Sequence, residues 1–449
     1  MTVSAVDSAI FGGLFTTAAM RAVFVDHTRL QRMLDVEAAL ARAQARLGLI
    51  PVAAAEEIAA KARLERFDLE AIRRGTELAG YPIVPLVKAL GEACDGDAGR
   101  YVHWGATTQD IVDSALVLQI RDALALIQDD LDAILRRLAA LAKQFRDTPM
   151  AGRSHLQHAL PISFGFKCAV WLSPLQRHRR RLDALRGEVL TVQFGGAVGT
   201  LASLGANGIA VLEALAEELD LAAPPIAWHV ARDALAETVC FLGLLTGSLG
   251  KIATDVMLLM QTEVGEVAEP HAPGRGGSST MPQKRNPIAC EFILAAAKNV
   301  RQQVAVMLDA MLQDHERATG PWHAEWLALP QAFALCAGAL HHSRALLEGL
   351  TVDATRMRRN LDMTRGMITA EAVMMALAPA LGREAAHHVV AAACNEALAS
   401  DRHLLEVLGA DPQVTAHLSR TQLASLLEPD NYTGLAGAFV DRVVAGNRS

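Results

Sequence analysis

From Asp113 to Phe145 the apolar residues Leu116, Ile120, Leu124, Ile127, Leu131, Ile134, Leu138 and Leu141 step by three and four positions without a miss. That period predicts one helix of roughly 33 residues, about 50 Å long at ~1.5 Å per residue. A helix of this length needs long partners to cover its apolar face, and the chain supplies four. Residues 161–190 open with Pro161 at a first-turn position. Residues 231–263 carry Leu235, Val239, Leu242, Leu249, Ile252, Val256 and Leu259, and further helical patterns cover 288–313 and 327–350. Pro174 is expected to kink the first of them. Strand-like alternation is nearly absent, and "FGGAVGTLASLG" at 194–205 reads as a glycine-broken connection between helices. The pattern predicts an all-α chain with an N-terminal helical domain (1–110), a central long-helix bundle (111–352) and a C-terminal helical domain (353–449).

Composition narrows the function classes. The chain has 449 residues, 51% of them hydrophobic and only 4% aromatic, with a mean hydropathy of +0.22. This suits close-packed helices with some apolar faces buried between subunits. The net charge of -7 is modest and the signs are interspersed, so neither nucleic acid nor a membrane is an expected partner. Even "RHRRRLDALR" at 177–186 reads as a solvated helix face. The six cysteines lie far apart without a CxxC pair, as expected of reduced, mostly buried thiols in a cytoplasmic protein. The N-terminus lacks the basic and apolar regions of a signal peptide. No apolar run reaches the ~18–20 residues of a spanning helix, and "VCFLGLLTGSLG" at 239–250 is too short.

Chemistry-bearing residues gather at three breaks in the helical pattern. "YVHWGATTQD" (101–110) supplies His103, Thr107, Thr108, Gln109 and Asp110 ahead of the longest helix, either as a simple cap or as donors to an anion at a helix N-terminus. "GRSHLQHALP" (152–161) carries Arg153, His155 and His158 ahead of the next. It has no HExxH pattern and no neighbouring acidic ligand, so a histidine that binds a carboxylate or moves a proton is expected rather than a metal pair. "GRGGSSTMPQKRNP" (274–287) lacks the GK[ST] ending of a P-loop. Its glycines can expose N–H groups to an anion, Lys284 and Asn286 alternate across one turn, and Pro287 is placed to start a helix. The alternative for this stretch is a plain linker.

These three clusters, in this order and on this helical framework, resemble the fumarase/aspartase superfamily. "GSSTMPQKRNP" matches its shared loop at nearly every position, and "HWGATTQD" and "GRSHLQHA" match its other two regions, with Ser154 where threonine is more usual. Within the superfamily, "VQFGGAVGTLASLG", "LLMQTEVGEVAEP" and "QDHERATGPWHAEW" look most like the 3-carboxy-cis,cis-muconate cycloisomerase family, with adenylosuccinate lyase the nearest rival. The resemblance implies a three-domain fold with a central bundle of long helices. It also implies a homotetramer whose active sites are built from different subunits, a small tricarboxylate substrate, lactone formation in protocatechuate breakdown, and no cofactor or metal.

By position, the resemblance makes Ser278 the proton-transfer group at carbon, with Ser279 beside it, and puts Lys284 and Asn286 on substrate carboxylates. Ser278 needs activation by Lys284 and backbone dipoles, because an ordinary serine is far too weak a base. His155, the leaving-group acid of several relatives, is expected to hydrogen-bond Glu291, a pairing carried over from adenylosuccinate lyases. His103, Thr107, Thr108, Gln109, Arg153 and Arg317 complete the expected binding set. Trp322 and His323, in "HERATGPWHAEW" (315–326), are placed either at the pocket or in the core.

Overall fold

A computed structural model describes residues 4–446. Among these residues there are nineteen α-helices, five short 3-10 turns and two small antiparallel sheets. Six helices are longer than 20 residues: α1 (Asp26–Arg46), α2 (Thr108–Gln144), α3 (Phe164–Val189), α4 (Asp233–Met260), α5 (Ile288–Ala310) and α6 (Pro321–Glu348). The eight apolar positions that predicted α2 are all buried, as are the seven that predicted α4. The three-to-four residue step puts one apolar stripe along each helix, and burying a leucine on it contributes about 1.5–3 kcal/mol.

The chain divides into two compact units, and each boundary falls inside one of the helices α2 to α6. The first unit comprises residues 4–131, 178–250 and 292–342. Its core gathers Met33, Leu34 and Leu40 of α1 with Ile111, Leu118, Val211, Leu215 and Trp322. The second unit comprises residues 132–177, 251–291 and 343–446. One of its cores lies among the helices Ala370–Leu381 and Arg383–Ser400 and the segments that follow them, through Val373, Leu377, Val390, Leu404 and Leu423.

Three expectations are corrected. The second motif is not a helix entry: it is a hairpin of strands β1 (Pro149–Ser154) and β2 (Gln157–Ser163), and Pro161 lies in β2 with α3 starting at Phe164. Burial alternates along that strand although its residue types do not, and Pro161 is accommodated because a two-stranded ribbon has two edges. Helix α6 begins at Pro321 rather than 327, so Trp322 and His323 stand in its first turn. Helix α4 is long and apolar enough to cross a membrane by length and composition, with mean hydropathy 1.4 over its most apolar stretch. Leu242, Leu245, Leu249, Ile252, Ala253 and Val256 are nonetheless packed inside the protein, which accounts for the composition of a core helix. Arg177, Arg180 and Arg181 of the basic stretch are exposed, as a solvated face requires.

Candidate active site

In the first unit the start of α2 is organised by a buried carboxylate. Asp110 accepts backbone N–H groups from Thr107 (3.0 Å), Gly195 (2.9 Å) and Gly196 (2.9 Å), and its Oδ1 lies 2.7 Å from His229 Nε2. Gly196 holds φ at +70°, a left-handed conformation that glycine adopts without a Cβ penalty. The glycine connection is thus tied to the first motif. Next to it, Gln109 spends both amide protons on Asp113 (3.0 Å) and the His229 carbonyl (2.9 Å), while its oxygen accepts from Arg317 (3.1 Å). Arg317 also donates to the Gly196 and Ala197 carbonyls, both at 3.2 Å, and its buried Nε has no partner. Among the described residues every hydrogen-bond acceptor of this guanidinium is neutral. Burial lowers its pKa, with Asp110 and Asp113 opposing, yet a guanidinium keeps its charge at physiological pH, so Arg317 is a ready cation for an anionic ligand.

His103 stands at φ +61° with Nδ1 2.6 Å from Glu37 Oε1. Thr107 and Thr108 are partly exposed at the helix start. Close by, His323 packs against Tyr81, Trp322 and Trp326, with ring centroids 5.9, 5.7 and 4.7 Å away.

In the second unit the β1–β2 hairpin turns through His155 (φ +52°) and Leu156 (φ +64°), so two non-glycine residues hold the left-handed conformation that a tight hairpin turn demands. His155 therefore sits exposed at the tip. On the same hairpin, Arg153 forms a two-pronged ion pair with the buried Glu266 (2.9 and 2.7 Å), which also accepts from Asn360 (2.7 Å). The charge of Arg153 is therefore balanced within the chain. Burial and then the neighbouring Arg153 push the His158 pKa down, with Glu266 opposing, and its buried Nδ1 has no hydrogen-bond partner.

The 274–287 loop is closed at its neck. Asn286 N–H donates to the Gly276 carbonyl at 2.9 Å, and Gly277 forms a bridge with Arg285. Ser278 Oγ accepts N–H groups from Thr280 (3.3 Å) and Met281 (3.1 Å). Such donors favour negative charge on the oxygen they face. Ser279, Lys284 and Arg285 are exposed, and Asn286 is partly exposed. The N-terminus of α5 is already occupied by Glu269, which accepts from Ala289 (3.1 Å) and Cys290 (2.9 Å). Gly276 has φ +64°, and a Cβ there would lie 2.7 Å from the Asn286 carbonyl oxygen. Gly276→Ala is expected to open the neck, raising limited-proteolysis cleavage within 274–287 severalfold while the thermal midpoint of the whole chain changes little.

Residues 14–302 match the lyase family, and residues 366–443 match the adenylosuccinate lyase C-terminus family. The chain belongs to the lyase family. The 3-carboxy-cis,cis-muconate cycloisomerase of Pseudomonas aeruginosa is 53% identical over 439 residues, 97% of this chain and 96% of that protein. Trans-aconitate decarboxylase 1 of Mycosarcoma maydis is 49% identical over 432 residues, 96% of this chain and 88% of that protein. The crystal structure of 3-carboxy-cis,cis-muconate lactonizing enzyme from Pseudomonas putida matches with a TM-score of 0.94 at 48% identity, covering 98% of this chain and 99% of that one.

In this lyase-family chain the first unit contains His103, Thr107, Thr108, Gln109 and Arg317, and joins Arg317 to Gln109 directly. The second contains Arg153, His155, Ser278, Ser279, Lys284, Asn286 and Glu291. His155 and Glu291 are both exposed and make no hydrogen bond to each other within one chain. Among the described residues no group of three or more His, Cys, Asp or Glu side chains is arranged to hold a metal. Sequence reasoning missed Glu37, His229, Glu266 and Glu269. Glu37 had a signal: it is an acid inside the apolar stripe of α1, between Val36 and Ala38. Glu266 and Glu269 stood in "LLMQTEVGEVAEP", but nothing local shows that they would meet Arg153 and the start of α5.

Proposed function

We propose that this lyase-family chain is a 3-carboxy-cis,cis-muconate cycloisomerase, closing its substrate to 4-carboxymuconolactone in protocatechuate breakdown. The observation that carries the reading is near-full-length similarity to cycloisomerases on the same fold, with the hydroxyl- and cation-bearing loop intact. In the reaction one substrate carboxylate adds across a conjugated double bond. The electron pair moves onto the carbon next to another carboxylate, which spreads the charge as an enolate-like dianion. Lys284 and Asn286 stabilise that charge, each donor contributing a few kcal/mol in a desolvated site. Ser278 gives its proton to carbon, and the N–H groups of Thr280 and Met281 hold the alkoxide it leaves behind. The substrate is its own electron sink, so the chemistry calls for no cofactor. On the same reading the protein is a cytoplasmic homotetramer with active sites shared between subunits, which sedimentation equilibrium tests as four times the 47.9 kDa chain mass.

His155 favours a second reading, a fumarate-releasing lyase such as adenylosuccinate lyase, because lactone formation has no leaving group that needs an acid. Ultraviolet absorbance separates the two. Mixing the protein with 3-carboxy-cis,cis-muconate is expected to bleach the conjugated diene, while adenylosuccinate and trans-aconitate stay unchanged in parallel cuvettes. A persistent diene signal with cleavage of adenylosuccinate would replace the first reading by the second.

A further inference from the structure

Glu37 is 2% exposed, a carboxylate deep in a mostly apolar helix face. Both its oxygens serve one residue: Oε1 lies 2.6 Å from His103 Nδ1, and Oε2 accepts the His103 backbone N–H at 3.1 Å. This two-point hold secures a residue whose φ of +61° is costly for a side chain larger than glycine. Because Nδ1 is turned to Glu37, the ring's free nitrogen is Nε2, which has no protein partner among the described residues. The His103 side chain is 21% exposed, compared with 1% for Glu37.

The charge state decides what Nε2 offers. A neutral ring whose Nδ1–H is donated to Glu37 presents a bare lone pair at Nε2, which repels a carboxylate. A protonated ring presents an N–H and a positive charge. The charged groups acting on it come from two elements: Glu37 on α1, and Asp110 on α2, whose own carboxylate is held by His229 and the Gly195 and Gly196 amides. Burial opposes the charged form, but the charge and hydrogen bond of Glu37, with Asp110 behind, outweigh it and raise the imidazole pKa.

We infer that Glu37 is a positioning residue for substrate binding: its carboxylate holds the His103 ring through Nδ1 and balances the charge of the protonated ring, so that Nε2–H stands outward as a cationic donor for a substrate carboxylate. The inference rests on the cycloisomerase reading only for the identity of that carboxylate.

Deuterium exchange at histidine C2, read by peptide mass spectrometry, gives the His103 titration directly in the intact protein. Wild-type His103 is expected to titrate above the ordinary value of about 6.5, and Glu37→Gln to bring it measurably down. With 3-carboxy-cis,cis-muconate at neutral pH, the same variant should raise KM about tenfold with kcat within about twofold. The rise in KM with pH should begin at lower pH in the variant than in the wild type. Glu37→Asp should recover part of both effects. A wild-type His103 that titrates at or below about 6.5 overturns the inference, and this measurement stands even where Glu37→Gln does not fold. A titration identical in wild type and variant overturns it too, as does a shifted titration with KM unchanged. Absence of muconate turnover by the wild-type protein would reject the cycloisomerase reading instead, and the exchange titration would still decide whether Glu37 sets the state of His103.

Discussion

Ser278→Ala is expected to lower turnover about a thousand-fold while KM stays within a few fold, the loss typical of removing a group that moves a proton in the transition state. Ser278 Oγ receives two backbone N–H groups, from Thr280 and Met281, on a loop whose neck is closed by the Asn286–Gly276 hydrogen bond. An oxygen so placed gains most when it carries negative charge, which it does only as its proton leaves. On the proposed mechanism, deleting the hydroxyl therefore removes stabilisation that develops along the reaction and takes little from the bound substrate. Steady-state kinetics on the muconate separates the two effects. A variant with near-normal kcat would reject Ser278 as the proton carrier, and one with raised KM and normal kcat would recast it as a binding group.

Arg232→Met is expected to be the most destabilising single change, by about 3–5 kcal/mol. Arg232 is fully buried and makes four hydrogen bonds, to Glu325 at 2.9 and 2.5 Å and to Asp113 at 2.6 and 3.1 Å. Without the guanidinium, two carboxylates lie in the first unit's interior with no cation between them. Burial already pushes the Glu325 carboxyl up, only partly offset by Arg232. Asp113 also accepts from Trp322 (3.0 Å) and Gln109 (3.0 Å), so its displacement reaches Arg317 through Gln109. The urea unfolding midpoint, measured at fixed protein concentration, should fall sharply, and KM should rise in whatever folded fraction remains. A midpoint equal to wild type would show that Asp113 and Glu325 find other compensation. Arg232→Lys should rescue only in part, because one ammonium cannot span both carboxylates.

The long helices were legible because periodicity is a local property: three-to-four spacing over Leu116 to Leu141 admits one apolar face, and that face is buried. The three clusters were legible because glycine, proline, hydroxyls and cations interrupt that period. What failed was local as well. "GRSHLQHALP" preceded a helix, yet its own residues formed a hairpin, since Arg153 pairs across the strands with His158 and is anchored to Glu266, more than a hundred positions away.

By itself the sequence determined an all-α framework, the places where the chain leaves it, and the residue types available there. Only the tertiary structure decided which charges are free. Arg153 and Arg317 look alike as motif cations, but Arg153 is matched by Glu266 while, among the described residues, Arg317 hydrogen-bonds neutral acceptors. His103 and His155 look alike as motif histidines, but His103 has a buried carboxylate behind it and His155 stands exposed at a turn. A side chain's charge is balanced by whatever lies within a few ångströms, and those neighbours come from helices scores of residues apart, beyond the range of any pattern read along the chain.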